Sequence, residues 1–336
     1  IRIWRAVFMG QRYIRQKLKA VGAFILILIL LPYVISVFVN GADIKAENKA
    51  DRIYVQVKTQ AGNEEEIKEV PWSEYFLGVL AKEMPENYEE EALKAQAVLA
   101  RTALYKTIDG AEDPVMTESY LTAEELEKKW NSKEYKKYYE KYSKAITETG
   151  NQVLYYNDTY AWTPFHQSSN GSTRSAQEVL GSEEYPYLLV KECSQDKEAE
   201  DEMQVHTFEY KEIQEKCKDF LVAEEEERAK KGYEFTDFEI QSYDTAGYVL
   251  NMRIGETVCT GDQFRDALSL PSSAFSLKAS AGKLKVITTG KGHGLGMSQW
   301  MANELAKEGK NYEEILQYFF EGTNLTDVGE IFAKVE

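Results

Sequence analysis

The sequence predicts an α+β fold, with mixed helices and short antiparallel sheets around a groove, preceded by one N-terminal transmembrane helix. Three observations predict it. Strand-like alternation and helical periodicity follow one another along the chain without regular βαβ repeats. Hydrophobic residues make up 43% and aromatic residues 12% of the 336 positions, enough for a sizeable core. Residues 21–39 (VGAFILILILLPYVISVFV) carry no charge.

That uncharged stretch, as a helix rising about 1.5 Å per residue, is about 28 Å long, close to the hydrocarbon thickness of a bilayer. Pro32 is tolerable in such a helix. Residues 1–20 hold Arg2, Arg5, Arg12, Arg15, Lys17 and Lys19 and no acid. The positive-inside rule keeps this tail in the cytoplasm and puts the C-terminal body outside. The alternative is a signal peptide cleaved after Gly41, for which the apolar stretch is long. The expected organisation is a basic tail (1–20), an anchor (21–39), a polar stem (40–52) and one extracytoplasmic domain (53–336).

Within the body, residues 53–58 (IYVQVK) alternate as a strand, QAGNEEE reads as a turn, and IKEV as a second extended piece. A helix is expected from Ser73 as N-cap, with Phe76, Leu77, Leu80 and Met84 on one face and Pro85 ending it. Asn87-Tyr88-Glu89-Glu90 resembles a capping box opening a second helix to about Tyr105. Glu83 then sits in the last turn before a helical corner. Residues 122–149 form a long charged helix, with Leu126, Trp130 and Tyr138 among its apolar positions. Asn157-Asp158 marks a hairpin, and the polar loop HQSSNGSTRS follows. A helix is expected over 209–232 and strands over 234–259 about a Thr245-Ala246-Gly247 turn. Another helix spans Gly261 to Leu270. The glycine-rich GKGHGLG precedes a helix from about Ser298 to Lys307, capped by Gly309.

The net charge is −16, of which the first 20 residues contribute +6, leaving −22 on the remainder. So acidic a body excludes a nucleic-acid footprint, and an anionic ligand must be held by a few local cations. Cys193, Cys217 and Cys259 form no C-x-x-C pair. His166, His206 and His293 are widely spaced, with no H-E-x-x-H, and no metal or other cofactor is expected.

Glu83 lies at a helix C-terminus, where the negative end of the dipole opposes ionisation and raises a carboxyl pKa, as a general acid requires. Most of the 56 acids are nonetheless solvated. Lys94 and Arg101, seven residues apart, share one helical face about 10 Å apart. They suit an anionic ligand and equally suit snorkelling at a core edge. The loop from His166 to Thr173, with Ser168 and Ser169, is dense in small hydrogen-bonding groups, fit for a hydroxyl-rich ligand or for an ordinary Asn-Gly turn. The alternating glycines around His293 fit neither a P-loop nor a dinucleotide fingerprint.

Three ordered blocks carry a resemblance: YFLGVLAKEMPENYEEEALKAQAVLARTALY (75–105), FHQSSNGSTRSAQEVLGSEEYPYL (165–188) and GKGHGLGMSQWMANELAKEG (290–309). Together they resemble the SpoIID family, which includes amidase enhancers of the LytB type. The resemblance implies a membrane-anchored lytic transglycosylase that acts on peptidoglycan glycan strands during sporulation. It implies a catalytic role for Glu83 and substrate contacts by Lys94, Arg101 and Tyr187, with His166, Ser168, Ser169, His293 and Gln299 in the same groove. It implies a SpoIIP-like amidase and a SpoIIM-like membrane protein as partners, and a location on the mother-cell membrane, facing the intermembrane space. Zinc-binding relatives carry a His/Cys cluster that this chain lacks. Two other readings are a non-catalytic glycan-binding activator of an amidase and a metal-dependent hydrolase using His166, His206 and His293.

Overall fold

In the computed structural model the described residues are 53–61, 64–222 and 232–329, and the expected tail, anchor and stem lie outside them. No described helix is long and apolar enough to cross a membrane. The chain divides into residues 1–53 and 54–336, and the fold below is that of the second unit.

The chain opens as a hairpin, β1 (Tyr54–Ala61) and β2 (Glu64–Pro71), whose alternation buries Val55, Val57 and Val70. The strand passes directly into α1 (Trp72–Glu83), so Pro71 and not Ser73 occupies the N-cap, with no side-chain cap. Proline suits a helix start because its missing N–H has no intrahelical acceptor there. The second helix, α2 (Glu90–Ile108), also lacks the expected capping box. Its N-cap amide, Glu89 N–H, instead donates to Asn303 Oδ1 at 2.7 Å, 214 residues away. Strand β3 (Val115–Met116) adds a parallel edge to β1.

Helix α3 (Ala123–Glu148) carries a true capping box, Thr122 with Glu125, and a kink at Asn131 with φ of 53°. Its own Trp130 and Tyr142 stack at 5.2 Å on its buried face, and Tyr75, Phe76 and Leu80 of α1 and Leu93 and Val98 of α2 are buried as well. Strands β4 (Gln152–Tyr156) and β5 (Thr159–Tyr160) form the expected hairpin. Asn157 and Asp158 take φ of 50° and 61° at its turn, as a primed turn requires. Strand β6 (Phe165–His166) and helix α4 (Ala176–Leu180) follow.

Of the helix expected over 209–232, residues 223–231 lie outside the described residues. Residues Met203–Glu209 form β7, and α5 covers only Tyr210–Lys216. Strands β8 (Phe238–Tyr243), β9 (Val249–Ile254) and β10 (Thr257–Thr260) make one antiparallel sheet, and α6 (Gly261–Leu268) follows behind a Thr260–Gln263 capping box. A second sheet, unanticipated from the sequence, joins β11 (Phe275–Ser280), β12 (Lys283–Thr289) and β7. Ile213, Cys217, Met252, Phe264, Leu284 and Val286 are buried in the core these sheets share. All three cysteines are buried and free.

The chain closes with β13 (Met297–Ser298), α7 (Gln299–Lys307), α8 (Tyr312–Phe319) and β14 (Asn324–Asp327). Strand β13 pairs in parallel with β6, and β14 pairs with β4. The β6–β13 bridge joins the polar loop to the glycine-rich loop, and α7 leads from it to the α1–α2 corner.

Candidate active site

The α1–α2 corner is built from both sides. Helix α1 ends at Met84, leaving its last carbonyls without intrahelical partners. Side chains of α3 supply donors: Lys129 Nζ to Ala81 O at 2.8 Å, Tyr142 Oη to Met84 O at 2.7 Å and Lys141 Nζ to Glu86 O at 3.0 Å. From the other side, Gln299 at the start of α7 donates to Glu83 O at 2.9 Å and to Gln96 Oε1 at 3.3 Å. Gln96, on α2, donates to Glu83 Oε2 at 2.9 Å. The half-buried Glu83 carboxyl is thus fixed in a cleft of about 420 Å³ lined also by Lys82, Pro85, Glu86, Lys129 and Gln167.

Burial pushes the Glu83 carboxyl up to about 7. The Gln96 hydrogen bond opposes that rise and the Glu118 charge adds to it. With a donor on Oε2, the other oxygen is the one available to carry a proton. The cleft also holds Glu86, whose carboxylate faces Lys129 at 3.5 Å. Lys82 and Lys129 bring positive charge to an otherwise acidic body.

The other expected site residues divide sharply. Lys94 and Arg101 share a face of α2, but that face points away from Gln96, about 140–160° round the helix. It packs on the end of α3. Lys94 pairs with Glu91 at 2.7 Å and Glu148 at 2.6 Å. Arg101 is 2% exposed. It donates to Ile146 O, Thr149 Oγ1 and Gln152 O, each at 3.1 Å, and lies over the Phe76 ring. Burial lowers its pKa to about 10. In this conformation no ligand reaches Arg101, which ties the α3–β4 corner to α2.

The loop serines also face inward. Ser168 Oγ donates to Glu202 at 2.8 Å, and Ser169 N–H donates to Asp196 at 2.6 Å. Ser298 Oγ donates to the other Asp196 oxygen at 2.8 Å. Burial raises Asp196 to about 6 and Glu202 to about 7. Tyr187 is buried, and its hydroxyl accepts from Trp162 N–H at 2.8 Å and lies 3.3 Å from Trp162 O. His166 is buried with Nδ1 at 3.1 Å from Leu295 O, and burial lowers its pKa to about 3. His293 is half-buried, with its ring 5.9 Å from that of His166. Burial, assisted by Arg265, lowers its pKa to about 4. His206 lies on β7 opposite Val286, in a different sheet. Among the described residues no three His, Cys, Asp or Glu side chains converge as metal ligands.

The glycine-rich loop is a clamp. Gly290, Gly292, Gly294 and Gly296 all take positive φ, which glycine adopts without strain. A Cβ on Gly296 would collide with the Pro164 carbonyl, and one on Gly292 would meet His166 Cβ at 2.5 Å. Ser168 and Lys291 exchange backbone hydrogen bonds of 2.8 and 3.1 Å. Arg174, missed in the sequence, anchors the assembly. It is 1% exposed and pairs with Asp244 at 2.6 Å and Asp262 at 2.8 Å. Its Nη1 also donates to His293 O at 3.2 Å.

Of the expected residues, then, Glu83 and Gln299 meet in one cleft with Gln167 of the expected polar loop, and Gln96 is an unanticipated neighbour. A model of the SpoIID family (stage II sporulation protein) matches residues 60–156, which contain Glu83, Gln96 and Lys129. The stage II sporulation protein D of Bacillus subtilis (strain 168) is 31% identical over 297 residues, 85% of this chain and 82% of that one. That of Bacillus amyloliquefaciens is 27% identical over 300 residues, 83% of this chain and 81% of that one. An amidase enhancer of Bacillus subtilis (strain 168) is 25% identical over 295 residues, 74% of this chain and 40% of that one. With this similarity along most of both chains, the protein belongs to the stage II sporulation protein D family.

Proposed function

We propose that the protein is a peptidoglycan lytic transglycosylase that cleaves MurNAc–GlcNAc strands and leaves 1,6-anhydro-MurNAc ends, with Glu83 as its acid and base. What supports this most is the Glu83 carboxyl, held by Gln96 in an open cleft and pushed by burial to about 7. Such a group is divided between its two protonation states at neutral pH, which suits a residue that must both give and take a proton. The protonated carboxyl delivers its proton to the leaving glycosidic oxygen as the C1–O bond breaks. The resulting carboxylate takes the proton of the muramyl C6 hydroxyl as its oxygen closes on C1. No water enters, and Glu83 ends protonated again. Lys82 and Lys129, the cations lining the cleft, would hold the lactyl carboxylate.

The same reading puts residues 21–39 in the membrane with the body outside the cytoplasm, facing the intermembrane space of the sporulating cell. A SpoIIP-like amidase would supply peptide-free strands, and a SpoIIM-like membrane protein would share the complex. A second reading, glycan binding that stimulates an amidase without cleavage, is favoured by the similarity to an amidase enhancer. The test is Glu83→Gln. Acid/base catalysis contributes roughly 10²–10⁴-fold, so the variant loses cleavage by about that factor while still binding peptide-free strands. A wild-type protein that binds strands, stimulates the amidase and cleaves nothing would establish the second reading.

A further inference from the structure

A second open cleft, of about 540 Å³, lies beyond the first, lined by Ala103, Lys106, Thr107, Trp162, Phe165 and His293 among others. The acid/base step makes no use of it. Helix geometry connects the two clefts. Gln96, Ala103 and Thr107 fall within about 20° of one line on α2, and Ala103 and Thr107 lie about 10 and 16 Å beyond Gln96. The extended chain from Ala161 to Gln167 runs antiparallel along that face. Its start lines the far cleft with Ala103, and Thr163 Oγ1 donates to Leu99 O at 3.1 Å midway. Its end, Gln167, lines the near cleft with Glu83. The two clefts therefore lie along one line, on which Gln96, Leu99 and Thr163 are buried, the last tying the strand to the helix, while Trp162, Phe165 and Gln167 of the strand stay open, over a span that a few linked sugar rings cover.

The far cleft has the chemistry of a sugar site. The half-buried Trp162 ring offers an apolar face, and the exposed Thr107 a hydroxyl. Aromatic rings of this kind combine apolar area with a polar edge. Lys106 is exposed, and among the described residues it forms no ion pair, in contrast to Lys94. Trp162 is also held deliberately. The Tyr187 hydroxyl accepts from its N–H at 2.8 Å and sits 3.3 Å from its carbonyl, and the Tyr185 ring packs against the indole at 4.8 Å.

We propose that the far cleft binds a further segment of the same amino-sugar strand, a sugar face against Trp162 and a muramyl carboxylate at Lys106, and that Tyr187 is a positioning residue for Trp162. The inference rests on the glycan-strand reading above. It is tested in the full chain carrying Glu83→Gln, so that strands bind without turnover. Ala103→Trp fills the far cleft and Lys106→Glu reverses its charge, both at exposed helix positions where folding is not at stake. Tyr187→Phe keeps the ring and removes both contacts to the Trp162 backbone.

The probes are long peptide-free glycan strands and the disaccharide GlcNAc–MurNAc. Each variant is expected to weaken long-strand binding several-fold and to leave disaccharide binding unchanged, with Lys106→Arg restoring wild-type affinity. Unchanged long-strand binding in Ala103→Trp and Lys106→Glu, or an equal loss for both probes, overturns the inference. Cleavage by the parent protein is measured separately. If strands are cleaved but the far-cleft variants show no length-dependent loss, only the second site falls. If nothing is cleaved while the length-dependent loss is present, the second site stands and the transglycosylase reading falls.

Discussion

The hydrogen bond from Gln96 to Glu83 sets a quantity that can be moved and measured. Gln96→Leu keeps the approximate size of the side chain, which is fully buried, and removes the donor 2.9 Å from Oε2. Burial has already raised Glu83 to about 7, and Gln96 is the group that pulls it back. A hydrogen bond to a charged partner contributes about 1.5–3 kcal/mol, and each pKa unit corresponds to about 1.4 kcal/mol. Losing it should raise Glu83 by about one to two units, to about 8–9. Gln299 retains its bond to Glu83 O, so the corner itself should persist. The assay is kcat/KM for strand cleavage against pH. Activity that needs the protonated acid fades above its pKa, so the alkaline limb should move up by that amount while the acid limb moves much less. The Glu83 carboxyl resonance, titrated by NMR, should show the same shift without turnover. An alkaline limb that stays in place or moves down would refute the assigned role of Gln96.

Three further outcomes follow from the geometry. Glu83 titrates higher in the folded chain than its unfolded value of 4.5, so the stability linked to its protonated form is complete below that value and is lost as pH rises through about 7. Glu83→Gln should therefore be more stable than the wild type at pH 8, by up to about 3 kcal/mol, and about equal at pH 4, as thermal unfolding at the two pH values will show. Arg101→Ala should cost about 3–5 kcal/mol in a denaturant titration, because it opens a cavity and removes the guanidinium donor from the Gln152 carbonyl and from Thr149 Oγ1; a variant as stable as wild type would return Arg101 to the ligand. Gly296→Ala should cost more than about 1 kcal/mol, since it combines a positive φ with a collision at Pro164 O, and strand binding should fall with it.

Local features of the sequence were legible where a residue type answers a local demand. The β1–β2 alternation, the Asn157-Asp158 turn, the helix from about Ser298 to Lys307 and the glycines at positive φ each follow from a few neighbouring residues. By position alone Glu83 was one acid among 56; the resemblance of its Glu-Met-Pro block to the family singled it out, and in the fold it lines the cleft at the α1–α2 corner. What failed were inferences about which face meets what. The periodicity of α2 correctly placed Lys94 and Arg101 together. It could not tell that α3 and β4 cover that face while Gln96, on the other side, meets Glu83. Ser168 and Ser169 were read as open to a ligand because polar atoms look alike in sequence, whether they meet solvent or buried Asp196 and Glu202; Tyr187 came from the family resemblance, and its hydroxyl meets the Trp162 backbone. Arg174 went unnoticed for the same reason, since its partners lie 70 and 88 residues away. The β7–β12–β11 sheet was missed because, among the described residues, β7 pairs with β12, which lies more than 70 residues later in the chain, so no local turn signals the pairing.

The end group of the product tests the central claim most directly. Strands without peptides are incubated with the full chain and the fragments are weighed. Ring closure by the C6 hydroxyl requires ends of 1,6-anhydro-MurNAc, lighter by one water than hydrolysis products, and their disappearance in Glu83→Gln. Fragments with reducing MurNAc ends would contradict the account. They would mean that water attacks, and would direct attention to Glu86, the second carboxylate in the cleft.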